Sequence, residues 1–136
     1  MTGISKEVQE RLIAAADKVR ENAYAPYSGY RVGAAFLMAD GSIEVGCNVE
    51  NASYGLAICA ERTAFVSAIA KGKKDFVAGA VIVSSDQVGA PCGACRQFMS
   101  EFNGSLPLIL ATDKGKVKVT NLGELLPMQF DRSYLP

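Results

Sequence analysis

The sequence contains no histidine. That absence removes the commonest general base and the commonest metal ligand. Ser-His and Cys-His catalysis within one chain are excluded. A metal here must be held by thiolates or carboxylates, and a general acid or base must be Glu, Asp, Lys, Tyr or Cys. A basic excess is absent as well: 14 Lys and Arg stand against 14 Asp and Glu. A polynucleotide-binding domain usually carries such an excess. Lys71, Lys73 and Lys74 read as helix-end charges, and Lys114, Lys116 and Lys118 as charges around a hairpin turn. Nor does any apolar run approach the roughly 18 residues that a membrane helix needs. The N-terminus, M-T-G-I-S-K-E-V, lacks the basic segment and apolar stretch of a secretory signal. Together these absences predict a cytoplasmic protein that engages neither membrane nor polynucleotide.

What is present is a chain of 136 residues, 49% hydrophobic, with four cysteines. That length and composition predict one domain, 1–136, with a single core. Residues 5–23 read as an amphipathic helix capped by Ser5, with Val8, Leu12, Ile13, Ala16, Val19 and Ala23 on one face. After the break A-P-Y-S-G (25–29), the near-continuous apolar run 31–38 suits a strand covered on both faces. Asp40-Gly41 signals a hairpin into a return strand, 43–47. The polar N-V-E-N-A-S-Y-G (48–55) reads as a loop. A helix from about Cys59 to Lys71 stops at Gly72. A strand at 77–84, a helix at 92–103 and strands at 106–112 and 117–120 follow. Asn121 and Glu124 form a capping box for a short last helix. The order is α-β-β-α-β-α-β-β-α. Its two β-α-β passages imply right-handed crossovers between parallel strands, within one mixed sheet carrying helices on both faces.

The chemistry lies at two helix starts. In P-C-G-A-C (91–95), Cys92 and Cys95 are three apart, so their sulfurs can converge on a first helical turn. A positive helix N-terminus favours thiolates. Taken alone, C-x-x-C is open to three readings: a redox pair, half a zinc site or chance. Cys59 also sits at a helix start after a loop, and in a doubly covered sheet such positions meet in one crevice. Three thiolates would suit Zn²⁺ with one open position, the pattern of a catalytic rather than a structural site. Cys47, at a strand end, reads as a small core residue rather than a fourth ligand.

Glu61, two residues after Cys59, has the apolar neighbours Ala60, Ala64 and Phe65. It is either a first-turn carboxylate on the helix dipole or the proton carrier that a histidine-free zinc site needs. Arg62 has its own rationale. Three thiolates on Zn²⁺ leave a net charge of −1, and a guanidinium bonded to the sulfurs would offset it. Arg96 is a second candidate for that role, or an exposed helix arginine.

C-A-E-R (59–62) with P-C-G-A-C-R-Q (91–97) resembles the zinc-dependent cytidine deaminase family in its three-cysteine form. The resemblance extends through A-Y-A-P-Y-S (23–28), V-G-A-A (32–35), G-C-N-V-E-N-A-S-Y (46–54) and E-L-L-P (124–127), nearly the whole chain. It implies a three-layer α/β/α deaminase-like fold with a mixed sheet of about five strands. It implies one Zn²⁺ per subunit on Cys59, Cys92 and Cys95, with zinc-bound hydroxide attacking C4 of the pyrimidine. Glu61 would move a proton to N3 and then to the leaving amino group, giving uridine and ammonia. The N–H of Ala60 would bind O2 of the base, and the carbonyl of Ala90 would accept from the 4-amino group. Asn48 and Glu50 would hold the ribose 3′-hydroxyl, and N-V-E-N points to free nucleosides, cytidine and deoxycytidine. Tyr30 aligns with an aromatic, commonly Phe, that packs on the base. Tyr54 and Phe130 would come from neighbouring subunits of a homotetramer with shared active sites.

Two readings of other classes stand beside this one. A structural zinc or regulatory module would use all four cysteines, and a redox protein would use Cys92 and Cys95 alone. Within the deaminases, a relative acting on a modified nucleoside antibiotic is the nearer rival, because pocket details decide between the two.

Overall fold

The apolar runs become strands because both of their faces are covered. The computed structural model describes residues 4–136. Its elements are α1 (Lys6–Arg20), β1 (Val32–Met38), β2 (Ile43–Cys47), α2 (Ala60–Ala70), β3 (Phe76–Val83), α3 (Gly93–Ser100), β4 (Pro107–Thr112), β5 (Val117–Asn121) and α4 (Leu122–Leu125). The order is the one that the sequence predicts. Two short 3-10 helices, Tyr54–Leu56 and Arg132–Tyr134, lie in segments without a periodic signal.

The five strands form one mixed sheet in the order β2-β1-β3-β4-β5. β1 is antiparallel to both β2 and β3, so those two run the same way with β1 between them. β3 and β4 are adjacent and parallel, and β5 closes the sheet antiparallel to β4. Side chains alternate across β1. Ala35 faces α1, where Leu12 and Ala16 meet Ala78, Ala80, Ile82 and Ile109. Ala34, Phe36 and Met38 face the other layer, with Phe65 of α2 and Met99 of α3. There the rings of Phe65 and Phe76 stack at 3.7 Å, and Phe36 meets Phe65 edge-on at 4.8 Å. The molecule is therefore a three-layer α/β/α sandwich with a core on each side of the sheet.

Small residues set how closely the layers approach. A Cβ at Gly33 would stand 1.9 Å from the carbonyl oxygen of Ala16 in α1. One at Gly46 would stand 2.3 Å from the amide nitrogen of Ala64 and 2.8 Å from the carbonyl oxygen of Ala60. Ala60, Ala64 and Ala68, all fully buried, make the matching stripe along α2. The first turn of α2 is thus pressed against the last residues of β2. Register does the rest: Val32 pairs with Val83, and Gly33 with Cys47. The start of β1 and the ends of β2 and β3 share one rim of the sheet.

Helix ends follow their predicted caps with two adjustments. Ser5 accepts from the Val8 amide at 3.2 Å, and Asn121 from the Glu124 amide at 2.9 Å. α1 stops at Arg20 rather than Ala23, because Asn22 and Ala23 bond three residues back, to Val19 and Arg20. α3 stops at Ser100 rather than Asn103. The Asn103 side chain donates instead to the Phe76 carbonyl of β3, at 2.9 Å.

At the far end of α2 a buried carboxylate is clamped. Glu44 of β2 accepts from Lys71 Nζ at 2.8 Å and from Lys73 Nζ at 3.1 Å. Lys73 also reaches Ser42 Oγ at 3.0 Å and Asp40 at 3.5 Å. Read from the sequence as helix-end charges, Lys71 and Lys73 close the hairpin onto α2. Their bonds, that from Lys71 first, hold the Glu44 carboxyl below the usual glutamate range despite its burial. A depressed acid contributes stability above its unfolded pKa of about 4.3 and loses it as pH falls through the folded value. Glu44→Gln is therefore expected to lower the denaturant midpoint at pH 7. The gap from the unaltered chain should close in acid, below the folded pKa. A gap that is constant with pH would mean that the charge is immaterial.

Candidate active site

Two helices begin with a cysteine where Ser, Thr, Asp or Asn is the usual cap. Cys59 is the N-cap of α2 and Cys92 the N-cap of α3, both with extended backbone and neither with a side-chain capping bond. Their carbonyls accept the first helical bonds, from Thr63 and Arg96, each at 3.0 Å. The sulfurs turn to each other instead. Cys59 Sγ lies 3.8 Å from Cys92 Sγ, and Cys92 Sγ lies 3.4 Å from Cys95 Sγ. All three sulfurs fall within 4.8 Å of one another, and Cys47 is outside the group.

These separations fit zinc. Sulfurs on a tetrahedral ion with bonds of about 2.3 Å stand about 3.8 Å apart. Thiolates are soft ligands of the kind that selects zinc. The charge among the three sulfurs is also unevenly spread. Cys59 is pulled down to about 5, first by the thiol of Cys95 and then, against its burial, by Arg62 and Cys92. Cys95 is pushed far up, first by Cys59, then by its own burial and by the charge of Glu61. One sulfur carries the charge at the expense of another, a conflict that a divalent cation between them removes.

Arg62 points its Nη2 at Cys59 Sγ, 3.7 Å away, as the charge argument predicts. Its Nε is buried without an acceptor among the described residues. Arg96 takes no part in this, since its bonds go to backbone carbonyls. Glu61, only 4% exposed, is the buried carboxylate that the sequence predicts. Burial pushes its pKa up to about 7; its own amide works against this, Cys59 adds to it and Arg62 opposes it.

Cys59, Cys92 and Glu61 border a cavity of about 210 Å³, with Cys95 and Arg62 behind its wall. Tyr30, Asn48, Cys59, Ala60, Glu61, Ala90 and Cys92 all line it. Val32, Val81, Val83 and Gly89 complete the wall, and the sequence reading did not single them out. For the valines the signal was available, since they begin β1 and fill β3 at the rim where the two pair. Gly89 had none. A Cβ there would lie 2.8 Å from the Tyr30 hydroxyl, so the missing side chain makes room for the phenol. Burial, with the charge of Glu61, holds that phenol above the usual tyrosine range.

The remaining predicted residues divide differently. Asn48 uses its amide on the backbone, accepting from Val32 N at 2.9 Å and donating to the Tyr30 carbonyl at 2.8 Å. Glu50 lies in a neighbouring cavity of about 360 Å³ together with Tyr54. It accepts from the amides of Tyr27 at 2.9 Å and Ser28 at 3.2 Å, and from the Ser28 hydroxyl. These bonds, that of the hydroxyl first, hold it below the usual glutamate range. Between Asn48 and Glu50, Val49 exchanges two backbone bonds with Ile58, both at 2.9 Å. The polar loop is therefore stitched to the approach to α2. Tyr54 is 77% exposed and Phe130 55%. Phe130 stacks on Tyr134 at 5.3 Å and does not line the 210 Å³ cavity of its own chain.

Sandwich and sulfur triad together define an α/β protein with a zinc-binding centre at the rim of its sheet. Comparison with known proteins is specific. Residues 6–108 match the family described as the cytidine and deoxycytidylate deaminase zinc-binding region. A cytidine deaminase of Sporosarcina psychrophila is 48% identical over 127 residues, 93% of each chain. One from Halalkalibacterium halodurans is 46% identical over 123 residues, 90% of this chain and 93% of its own. The crystal structure of cytidine deaminase from Burkholderia pseudomallei superposes with a TM-score of 0.87 at 49% identity, covering 93% of this chain and 100% of that one. The chain belongs to the cytidine and deoxycytidylate deaminase family.

Purified protein should contain about one zinc per chain by elemental analysis, and Cys92→Ala should lose it. Full metal content in that variant would remove Cys92 from the ligand set.

Proposed function

We propose that this chain hydrolyses cytidine and deoxycytidine to uridine and deoxyuridine, releasing ammonia, as one domain built on the single sheet. The observation that carries the reading is the meeting of three cysteine sulfurs beside a cavity of about 210 Å³, which Cys59, Cys92 and the buried carboxylate of Glu61 line. The names of the relatives, cytidine deaminases at 46% and 48% identity, support it.

In this reading Cys59, Cys92 and Cys95 hold the metal through three ligands and leave a fourth position open. Zinc bound there supplies an activated water for attack at C4 of the base. Glu61 accepts a proton from that water, gives it to N3 and later passes one to the departing amino group. One water enters and one ammonia leaves, so the carboxylate ends as it began. The Ala60 N–H, at the positive start of α2, donates to O2 of the base. The Ala90 carbonyl accepts from the 4-amino group and so orients it. Arg62 spreads positive charge over the thiolates, which keeps bound water acidic.

Tyr30 packs on the base, and Asn48 and Glu50 hold the ribose 3′-hydroxyl. The exposure of Tyr54 and Phe130 supports a homotetramer in which neighbouring subunits bring these aromatics to each site. No helix among the described residues is long and apolar enough to cross a membrane. Three cysteines that must stay reduced to hold zinc favour a cytoplasmic location. The neutral charge balance favours a free nucleoside over a polynucleotide.

The test is a spectrophotometric assay with cytidine, with and without chelator. Glu61→Gln should keep the fold and the zinc and lose at least about 10²-fold in kcat, the lower end for general acid–base catalysis. Near-normal turnover in that variant would sink its role. Zinc binding with no ammonia release by the unaltered protein would favour a structural metal module.

A further inference from the structure

Arg96 directly follows the last cysteine of P-C-G-A-C, yet it contacts neither sulfur nor cavity. Its guanidinium bonds to two carbonyls 34 positions apart in the chain, between residues 91 and 125. Nε donates to the Pro91 carbonyl at 2.7 Å and Nη1 to the Leu125 carbonyl at 2.7 Å. Both are short, charge-assisted bonds. Pro91 joins Ala90 to Cys92, so its carbonyl belongs to the loop that brings both groups to the cavity. Leu125 closes α4, where helix carbonyls have no partner within the helix. From Leu125 the chain runs to Phe130. The neighbouring Gln97 donates to the Phe130 carbonyl at 2.9 Å. Two consecutive side chains of α3 thus hold this segment, one at its start and one at Phe130.

A guanidinium is a rigid planar fork, so its two donors fix the relative positions of whatever they bind. An ammonium is a single point and imposes no such relation. We propose that Arg96 is a positioning residue for the deamination, locking the Ala90–Pro91–Cys92 loop and the segment carrying Phe130 into one frame. The proposal rests on the functional reading above for the parts played by Ala90 and Phe130. It makes Arg96 the tie between the metal loop and the start of the C-terminal segment: releasing Arg96 loosens both, whereas releasing Gln97 loosens only the segment around Phe130.

The test compares Arg96→Gln, Arg96→Lys and Gln97→Ala in the full, zinc-loaded chain. Two readouts need no substrate: the rate of zinc transfer to a colorimetric chelator, and amide hydrogen exchange over residues 122–136. Arg96→Gln should raise both together, by about threefold or more. Gln97→Ala should raise exchange around Phe130 and leave zinc transfer alone. With cytidine, Arg96→Gln should lower kcat/KM at least about tenfold, mostly in kcat, because a misplaced loop costs rate rather than binding. Arg96→Lys should recover less than half of that loss. Lysine restoring all three readouts would overturn the proposal in favour of simple charge. So would faster exchange in Arg96→Gln with unchanged zinc transfer and kcat. If Arg96→Gln does not fold, Arg96→Lys decides alone, since the fork predicts a deficit and charge predicts none. If the unaltered chain leaves cytidine intact, the functional reading fails, while zinc transfer and exchange still decide whether Arg96 couples the two segments.

Discussion

The structure turns on a concentration of negative charge that the chain cannot neutralise alone. Three sulfurs converge within 4.8 Å, and the neighbouring Glu61 is buried in the same cavity wall. Two unit charges 4 Å apart repel by about 4 kcal/mol at an effective dielectric of 20. Three such pairs would rival the whole stability of a small domain, about 5–15 kcal/mol. The protein offers two helix N-termini, each worth about half a positive charge, and the guanidinium of Arg62. That is too little for three thiolates. Its neighbours and its burial push the Cys95 thiol far up, and a dication between the sulfurs is the remaining means of having all three ionised.

Everything around the triad serves to aim the two helix starts at one point. Glycine at position 46 lets α2 lie directly on β2, with Ala60 and Ala64 as the contact. The ring cluster of Phe36, Phe65 and Phe76 fixes α2 against the sheet, and Phe98 extends it to α3. At the other end Glu44 ties the hairpin to Lys71 and Lys73. Most of these contacts are apolar or backbone-mediated and indifferent to the metal. The frame is therefore set by packing, and charge acts only at its two ends.

Much of this was legible because it is local. The near-continuous apolar run at residues 31–38, the cap at Ser5 and the stop at Gly72 each depend on a few neighbours in sequence. The sulfur triad was legible for a different reason: paired helix starts in a β-α-β order must share a rim. What escaped was non-local. Nothing in the spacing of Arg96 announces that it bonds to Pro91 and Leu125, because α4 comes beside it only in the folded chain. The amide of Asn48 reads as a ligand group, yet it also completes the backbone at Val32 and Tyr30. Gly89 carries no signal of its own, and its function as a seat for the Tyr30 hydroxyl depends on a residue nearly sixty positions earlier.

The missing histidine then acquires a physical meaning. An imidazole beside three thiolates would be drawn to the metal or protonated by its surroundings, and neither state accepts a proton near neutrality. A carboxylate buried in the same place behaves in the opposite sense. Desolvation and the nearby sulfur charge both raise its affinity for a proton, toward the range in which it takes one up and gives it back. The environment that would spoil a histidine therefore suits a glutamate. In the proposed reaction Glu61 has two transfers to make, to a ring nitrogen and to a leaving amine, and both start from the same water. A single short side chain beside the metal can reach the two acceptors only if base and metal are held in fixed relation. In that proposal the backbone groups at Ala60 and Ala90 are what meet the requirement, because both line the cavity and each lies within two residues of a cysteine of the triad.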